Sequence, residues 1–177
     1  HVRKKRDQLT ASATGKARQA AGERVVEGSA RFIEPTLLEV DGPAGVQRIR
    51  ARTVVIATGS RPVMPAWLEP VRERTVSTDQ LFELETLPRS VGILGLGAIG
   101  LEMGLALSRL GVKVVGADLA PSIGGIADPV IAERAISHFG HEMEMWLGAQ
   151  TSVSLGEAGV RMRAGTRETE VELLLAA

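Results

Sequence analysis

The chain has 177 residues, no cysteine, and 21 basic against 21 acidic side chains. That length suffices for a full core, but the composition excludes disulfides, a thiol redox centre and zinc held through sulfur. Balanced charge gives no global attraction to nucleic acid or an anionic membrane, and no apolar run approaches the roughly 18 residues of a membrane span. A soluble globular protein is expected, cytoplasmic by its cysteine usage, with neither nucleic acid nor membrane as partner.

Residues 2–21 carry helix formers and no proline, which predicts a helix with Gly15 as its one weak point. The cluster Arg3-Lys4-Lys5-Arg6 reads as a solvated face, because no interleaved aromatic residue offers a stacking surface. Residues 24–58 read as short strands. Val25-Val26 leads into Ala30-Arg31-Phe32-Ile33; Leu37 to Val40 comes before the turn Asp41-Gly42-Pro43, and Val46 to Arg50 is its hairpin partner. Thr53-Val54-Val55-Ile56-Ala57 is apolar and largely β-branched, the pattern of a strand buried on both faces. It ends at Thr58-Gly59-Ser60-Arg61-Pro62. Residues 62–88, with prolines at 62, 65, 70 and 88, read as a connector holding one helical turn from Asp79 to Leu84.

From residue 89 strands and helices alternate, which signals a parallel sheet. Ser90 to Leu94 is a strand, residues 98–110 a helix, and Val112 to Ala117 a second strand. Pro129 to Phe139 is a helix with Asp128 as its cap, and Met143 to Leu147 a third strand. The fold class is therefore α/β, a Rossmann-type three-layer parallel sheet accompanied by a smaller part made of a helix and short strands. The chain starts at His1 within the expected helix and stops in Val171-Glu172-Leu173-Leu174-Leu175-Ala176-Ala177, an apolar run typical of a buried strand. Both ends read as cuts within a larger protein.

The chemistry lies in Gly95-Leu96-Gly97-Ala98-Ile99-Gly100. A lone G-x-G-x-x-G is weak, but this one follows an apolar strand and opens a helix. A second strand comes next, and Asp118 stands at its end, 23 positions beyond Gly95. Gly95 permits the tight turn, Gly97 a close approach of backbone to pyrophosphate, and Gly100 close packing of helix on strand. The N–H groups of the helix start, Ala98 and Ile99 included, face a phosphate site. An Asp118 carboxylate suits ribose hydroxyls. A 2′-phosphate there would meet like charge, about 4 kcal/mol per pair at an effective dielectric near 20. No Lys or Arg occurs between Asp118 and Arg134, so NAD is expected over NADP. Glu102, in the first helical turn, is equally compatible with plain helix-dipole preference and a place near the nicotinamide.

His138 and His141 with Glu142 and Glu144 could suggest a metal, but Gly140 breaks the helix between the histidines, and no metal is expected. Trp146 alternates with polar residues like a core strand position, while Trp67 sits in the connector.

Three stretches in combination carry a resemblance: Val54-Val55-Ile56-Ala57-Thr58-Gly59-Ser60-Arg61-Pro62, then Ser77-Thr78-Asp79, then Pro88 through Glu102. The chain resembles the flavin-dependent pyridine nucleotide–disulphide oxidoreductases, and within them the dihydrolipoamide dehydrogenase branch most. The resemblance implies that residues 1–61 are part of an FAD domain, 62–88 a connector, and 89–177 the NAD domain with the start of a return strand. It implies FAD contacts at Ala30, Ala57, Thr58 and Gly59, NAD contacts at Gly95, Gly97, Ala98, Ile99, Gly100 and Asp118, and Glu102 beside the nicotinamide. The parent would exchange a hydride between NAD(H) and FAD and dimerise through a C-terminal domain outside this chain. The family's first FAD fingerprint, its Cys-x4-Cys pair and its His-Glu pair are missing here. No catalytic residue is therefore expected in this chain, which would bind NAD without performing dithiol exchange. A stand-alone NAD sensor or docking module is the alternative, and an interaction domain using the basic helix a third reading.

Overall fold

The computed structural model describes residues 2–177, which fall into two compact units dividing between Ser60 and Arg61. In the first unit α1 (Val2–Ala21) is polar all round and exposed along almost its whole length. It stops at Gly22, whose φ of +55° is a left-handed conformation natural to glycine. The Arg24 side chain then donates to the last carbonyls, Ala20 and Ala21, at 3.2 Å each. β1 (Ser29–Glu34), β2 (Leu37–Gly42) and β3 (Gly45–Arg50) follow as an antiparallel sheet in that order. The expected hairpin is present, with Gly42 opposite Gly45. Across the three strands Glu39 lies between Arg31 and Arg48. It pairs with Arg31 and accepts from Arg48 Nε at 3.1 Å. These bonds, Arg48's first, hold the Glu39 carboxyl below the usual carboxylate range despite its partial enclosure.

The expected strand over Thr53–Ala57 does not form. The segment joins no sheet, and Val55 and Ile56 are 83% and 71% exposed. An apolar β-branched run favours strand backbone, but burial requires a neighbour on each side, and none of the described strands pairs with it.

The second unit begins with a 3-10 stretch, Ala66–Arg74, then β4 (Thr75–Ser77) and α2 (Thr78–Leu81). These residues are part of the fold rather than a plain link. Leu68 and Val71 are fully enclosed, and Thr75 Oγ1 donates to the Val71 carbonyl at 2.8 Å. The helical turn expected from Asp79 starts one residue earlier, because Ser77 and Gln80 cap it reciprocally. Then come β5 (Ser90–Leu94), α3 (Ala98–Arg109), β6 (Lys113–Asp118), α4 (Pro129–Phe139) and β7 (Glu144–Leu147). As expected, Asp128 caps α4 with Pro129 in its first turn. The chain continues through β8 (Thr151–Leu155), β9 (Val160–Ala164), β10 (Arg167–Val171) and β11 (Leu173–Ala176). β4-β11-β5-β6-β7 is an all-parallel sheet.

Side-chain alternation sorts the sheet's two faces. Val91, Ile93, Val114 and Leu175 meet Leu101 and Leu105 of α3, with Phe139 of α4 packed against them. Val115, Ala117 and Leu174 meet Val160, Met162 and Leu68. The second face is thus covered by a separate antiparallel sheet, β10-β9-β8, and the 3-10 stretch. That sheet is not among the strands expected from sequence, although Val160-Arg161-Met162-Arg163-Ala164 alternates buried and exposed residue by residue. Each edge strand of the parallel sheet has a carbonyl taken by a guanidinium. Arg72 donates to Thr75 in β4 and Arg167 to Met145 in β7, both at 3.1 Å.

Candidate functional site

The site grows from the end of β5. Gly95 turns the chain with φ +96°, and its N–H donates to the Ala117 carbonyl of β6 at 2.9 Å. No side chain fits there, since a Cβ would lie 2.6 Å from the Ala177 carbonyl oxygen. Leu96 drops its side chain into the core, fully enclosed, over Gly116 of β6. A Cβ on Gly116 would stand 2.5 Å from the leucine's Cδ2. Gly116 thus completes the motif from the neighbouring strand, which the pattern alone did not show.

Gly97 and Gly100 differ in kind. Gly97 is the N-cap of α3 and faces open space, with no atom within 4 Å of where a Cβ would be. At Gly100 a Cβ would be 1.9 Å from the Gly95 carbonyl oxygen, so the helix sits directly on the turn. The first helical bond runs from Leu101 N to the Gly97 carbonyl at 3.0 Å. The N–H groups of the first turn, those of Ala98, Ile99 and Gly100, precede that bond and lie at the positive end of the helix dipole. Ile99 and Glu102 are exposed there. Gly104, one turn on, lets α3 pack closely on the sheet, since its Cβ would meet Met143 Sδ at 2.6 Å and Ile93 Cδ1 of β5 at 3.0 Å.

Asp118 is brought to the turn, but not as a free carboxylate. Its Oδ2 accepts from Leu96 N at 2.6 Å and its Oδ1 from Ala120 N at 2.8 Å. Each oxygen keeps a further lone pair with which to accept, and Asp118 is half-buried. The Leu96 carbonyl in turn accepts from Gly124 N at 2.7 Å. The adjacent Gly124 and Gly125 both adopt positive φ, +64° and +73°, a visible glycine pair that sequence reading left unused. At the other end of α3, Arg109 donates to both Glu142 oxygens, at 2.6 and 2.9 Å. That bond first, then the Arg109 charge, holds the Glu142 carboxyl below its usual range against partial burial.

Of the residues assigned to a flavin, Ala30 is exposed on β1 opposite Val40. Ala57, Thr58 and Gly59 are exposed in the irregular run beyond β3, with Gly59 at φ +73° and open space where a Cβ would be. No hydrogen bond among the described residues joins the two places. His138 packs edge-on against Phe139 in the last turn of α4, and Gly140 caps that helix. Among the described residues no group of three or more His, Asp or Glu is placed to hold a metal ion. No helix among them is long and apolar enough to cross a membrane.

The family profile of the pyridine nucleotide-disulphide oxidoreductases matches residues 4–176. The chain belongs to that family. Members of the family bind FAD and NAD(P). This oxidoreductase-family chain is 30% identical over 146 residues to the soluble pyridine nucleotide transhydrogenase of Mycobacterium bovis, covering 76% of itself and 30% of that relative. It is 36% identical over 109 residues to the mitochondrial dihydrolipoyl dehydrogenase of Schizosaccharomyces pombe, covering 60% of itself and 21% of the relative. The chain thus spans less than a third of the length of these curated relatives. Its fold is that of the HOCl-induced flavoprotein disulfide reductase of Escherichia coli, with a TM-score of 0.78 at 24% identity over 99% of this chain and 41% of that one.

Proposed function

We propose that this chain is the NAD-binding part of a flavin-dependent disulfide oxidoreductase of the dihydrolipoamide dehydrogenase kind, which exchanges a hydride between NAD(H) and FAD. The observation that carries the reading is the contrast within the glycine turn. Gly100 is filled by the protein's own backbone, whereas Gly97 opens on empty space at the positive end of α3. The turn and the first N–H groups of α3 would hold the pyrophosphate, the outer lone pairs of Asp118 the adenosine ribose, and Glu102 would stand near the nicotinamide. Bound NAD(H) would supply the hydride chemistry. Like charge at Asp118, with no cation from 119 to 133, favours NAD over NADP.

FAD would lie along Ala30, Ala57, Thr58 and Gly59 of the first unit. Without cysteine this chain supplies no thiol for the disulfide step, so disulfide reduction by the chain alone is expected to be absent. The deciding experiment is calorimetric titration with NADH and NADPH, on the wild type and on Gly97→Ala. NADH should bind about tenfold or more tightly than NADPH, the scale of one charged hydrogen bond. Gly97→Ala should weaken NADH at least about tenfold while changing stability by no more than about 1 kcal/mol. Comparable affinity for the two cofactors, or an indifferent Gly97→Ala, would sink the reading.

A further inference from the structure

We infer that Asp118 is a positioning residue: it fixes the shape of the glycine turn in the absence of ligand, and this task, not only the ribose, requires an acid at that place. The proposal rests on the NAD reading for its consequence in binding, but on the contacts of the ligand-free chain for its cause.

Residues 95 and 96 are held by three hydrogen bonds from the segment Ala117–Gly124. Two are backbone bonds, Gly95 N to the Ala117 carbonyl and Gly124 N to the Leu96 carbonyl, at 2.9 and 2.7 Å. The third is the only one made by a side chain, from Leu96 N to Asp118 Oδ2 at 2.6 Å. Leu96 is fully enclosed, so water is poorly placed to replace that acceptor, and a buried N–H without a partner is costly. The other oxygen, Oδ1, is committed to Ala120 N at 2.8 Å and starts the loop that returns to Leu96 at Gly124.

Two N–H groups therefore converge on one short side chain, each on its own oxygen. A carboxylate is the side chain with two acceptor oxygens and no donor; asparagine would aim its NH2 at one of the two N–H groups. The acid is thus specified by the protein's own backbone as well as by a ribose.

The consequence concerns cofactor preference. If Asp118 only repelled a 2′-phosphate, removing it would improve NADPH binding. Because it also fixes the turn, removing it loosens the phosphate site for both cofactors. The test is backbone amide hydrogen exchange, read by NMR on the ligand-free chain for wild type, Asp118→Ala and Asp118→Asn, with NADH and NADPH titrations alongside. The Leu96 amide should exchange about tenfold or more faster in Asp118→Ala, the fold-change of one lost charged hydrogen bond. The Ala132 amide in α4 should be unaffected. Should Asp118→Ala not fold, Asp118→Asn, equal in size, is expected to show the same acceleration at Leu96 or Ala120. Unchanged Leu96 and Ala120 exchange in the folded variants would overturn the inference. Faster exchange in a chain that binds neither cofactor would overturn the NAD reading and leave the positioning role standing.

Discussion

In the unit up to Ser60, Val40 is the one buried hydrophobic side chain among the described residues, and the centre of the sheet is the ion triplet Arg31–Glu39–Arg48. In the unit from Arg61, two apolar clusters cover both faces of a parallel sheet. The clearest contrast is between two apolar runs of similar composition. Val91 and Ile93 of β5 have β11 on one side and β6 on the other, and are fully enclosed. Val55 and Ile56 pair with nothing and are mostly exposed. Burial is a property of neighbours before it is a property of residues. Most of the hydrophobic stabilisation accordingly resides after Arg61.

The two units can be probed separately, because both tryptophans, Trp67 and Trp146, lie in the second. The largest effect is expected from Gly100→Val, whose Cβ would fall on the Gly95 carbonyl at 1.9 Å. A backbone atom cannot swing aside, so the second unit should lose about 3 kcal/mol or more in denaturant unfolding followed by tryptophan fluorescence. Next, Leu174→Ala removes a fully enclosed side chain of the interior strand β11. A loss of about 2–5 kcal/mol is expected from the cavity and lost transfer energy. Ile56→Ser, at an equally apolar but exposed position of the first unit, should change stability by no more than about 0.5 kcal/mol in denaturant unfolding followed by circular dichroism, which reads both units. A loss comparable to that of Leu174→Ala would break the contrast, showing the run to be covered in solution.

The smallest effect is acid sensitivity. Glu39 in the first unit and Glu142 and Glu170 in the second are held below the ordinary carboxylate value of 4.5. For Glu170 the first cause is the N–H of Ala158, at 2.6 Å. With the folded value below the unfolded one, each contribution is present above about pH 4.5 and is lost as pH falls through the folded value. Melting temperature should decline modestly below pH 4.5, and Glu39→Gln, Glu142→Gln and Glu170→Gln should each flatten that decline.

The legible parts of the sequence were those where local chemistry and surroundings coincide. The turn at Gly95–Gly100 could be placed because strand, glycines and helix adjoin in the chain, and the Asp128-Pro129 start of α4 for the same reason. The hairpin at Gly42–Gly45 needed only its own turn. Three things were not legible, each decided by a distant residue. The fate of Val54–Ala57 depended on partner strands. The 3-10 stretch hid Leu68 and Val71 behind prolines that erase periodicity, and their burial comes from β8 to β10. Asp118 could be assigned a ligand from its place in the motif. Its bond to Leu96, 22 positions away, appears only when β5 and β6 lie side by side.

The guanidinium groups on the two edge strands bear on how the protein behaves at high concentration. An open parallel sheet offers two rows of unpaired backbone groups on which another chain could add a strand. Here Arg72 and Arg167 each occupy a carbonyl on one of those rows. A strand arriving at β4 or β7 would first have to displace a charged donor from its acceptor and then leave that charge beside its own backbone. Self-association by sheet extension is therefore disfavoured at both edges of the parallel sheet by one arginine each.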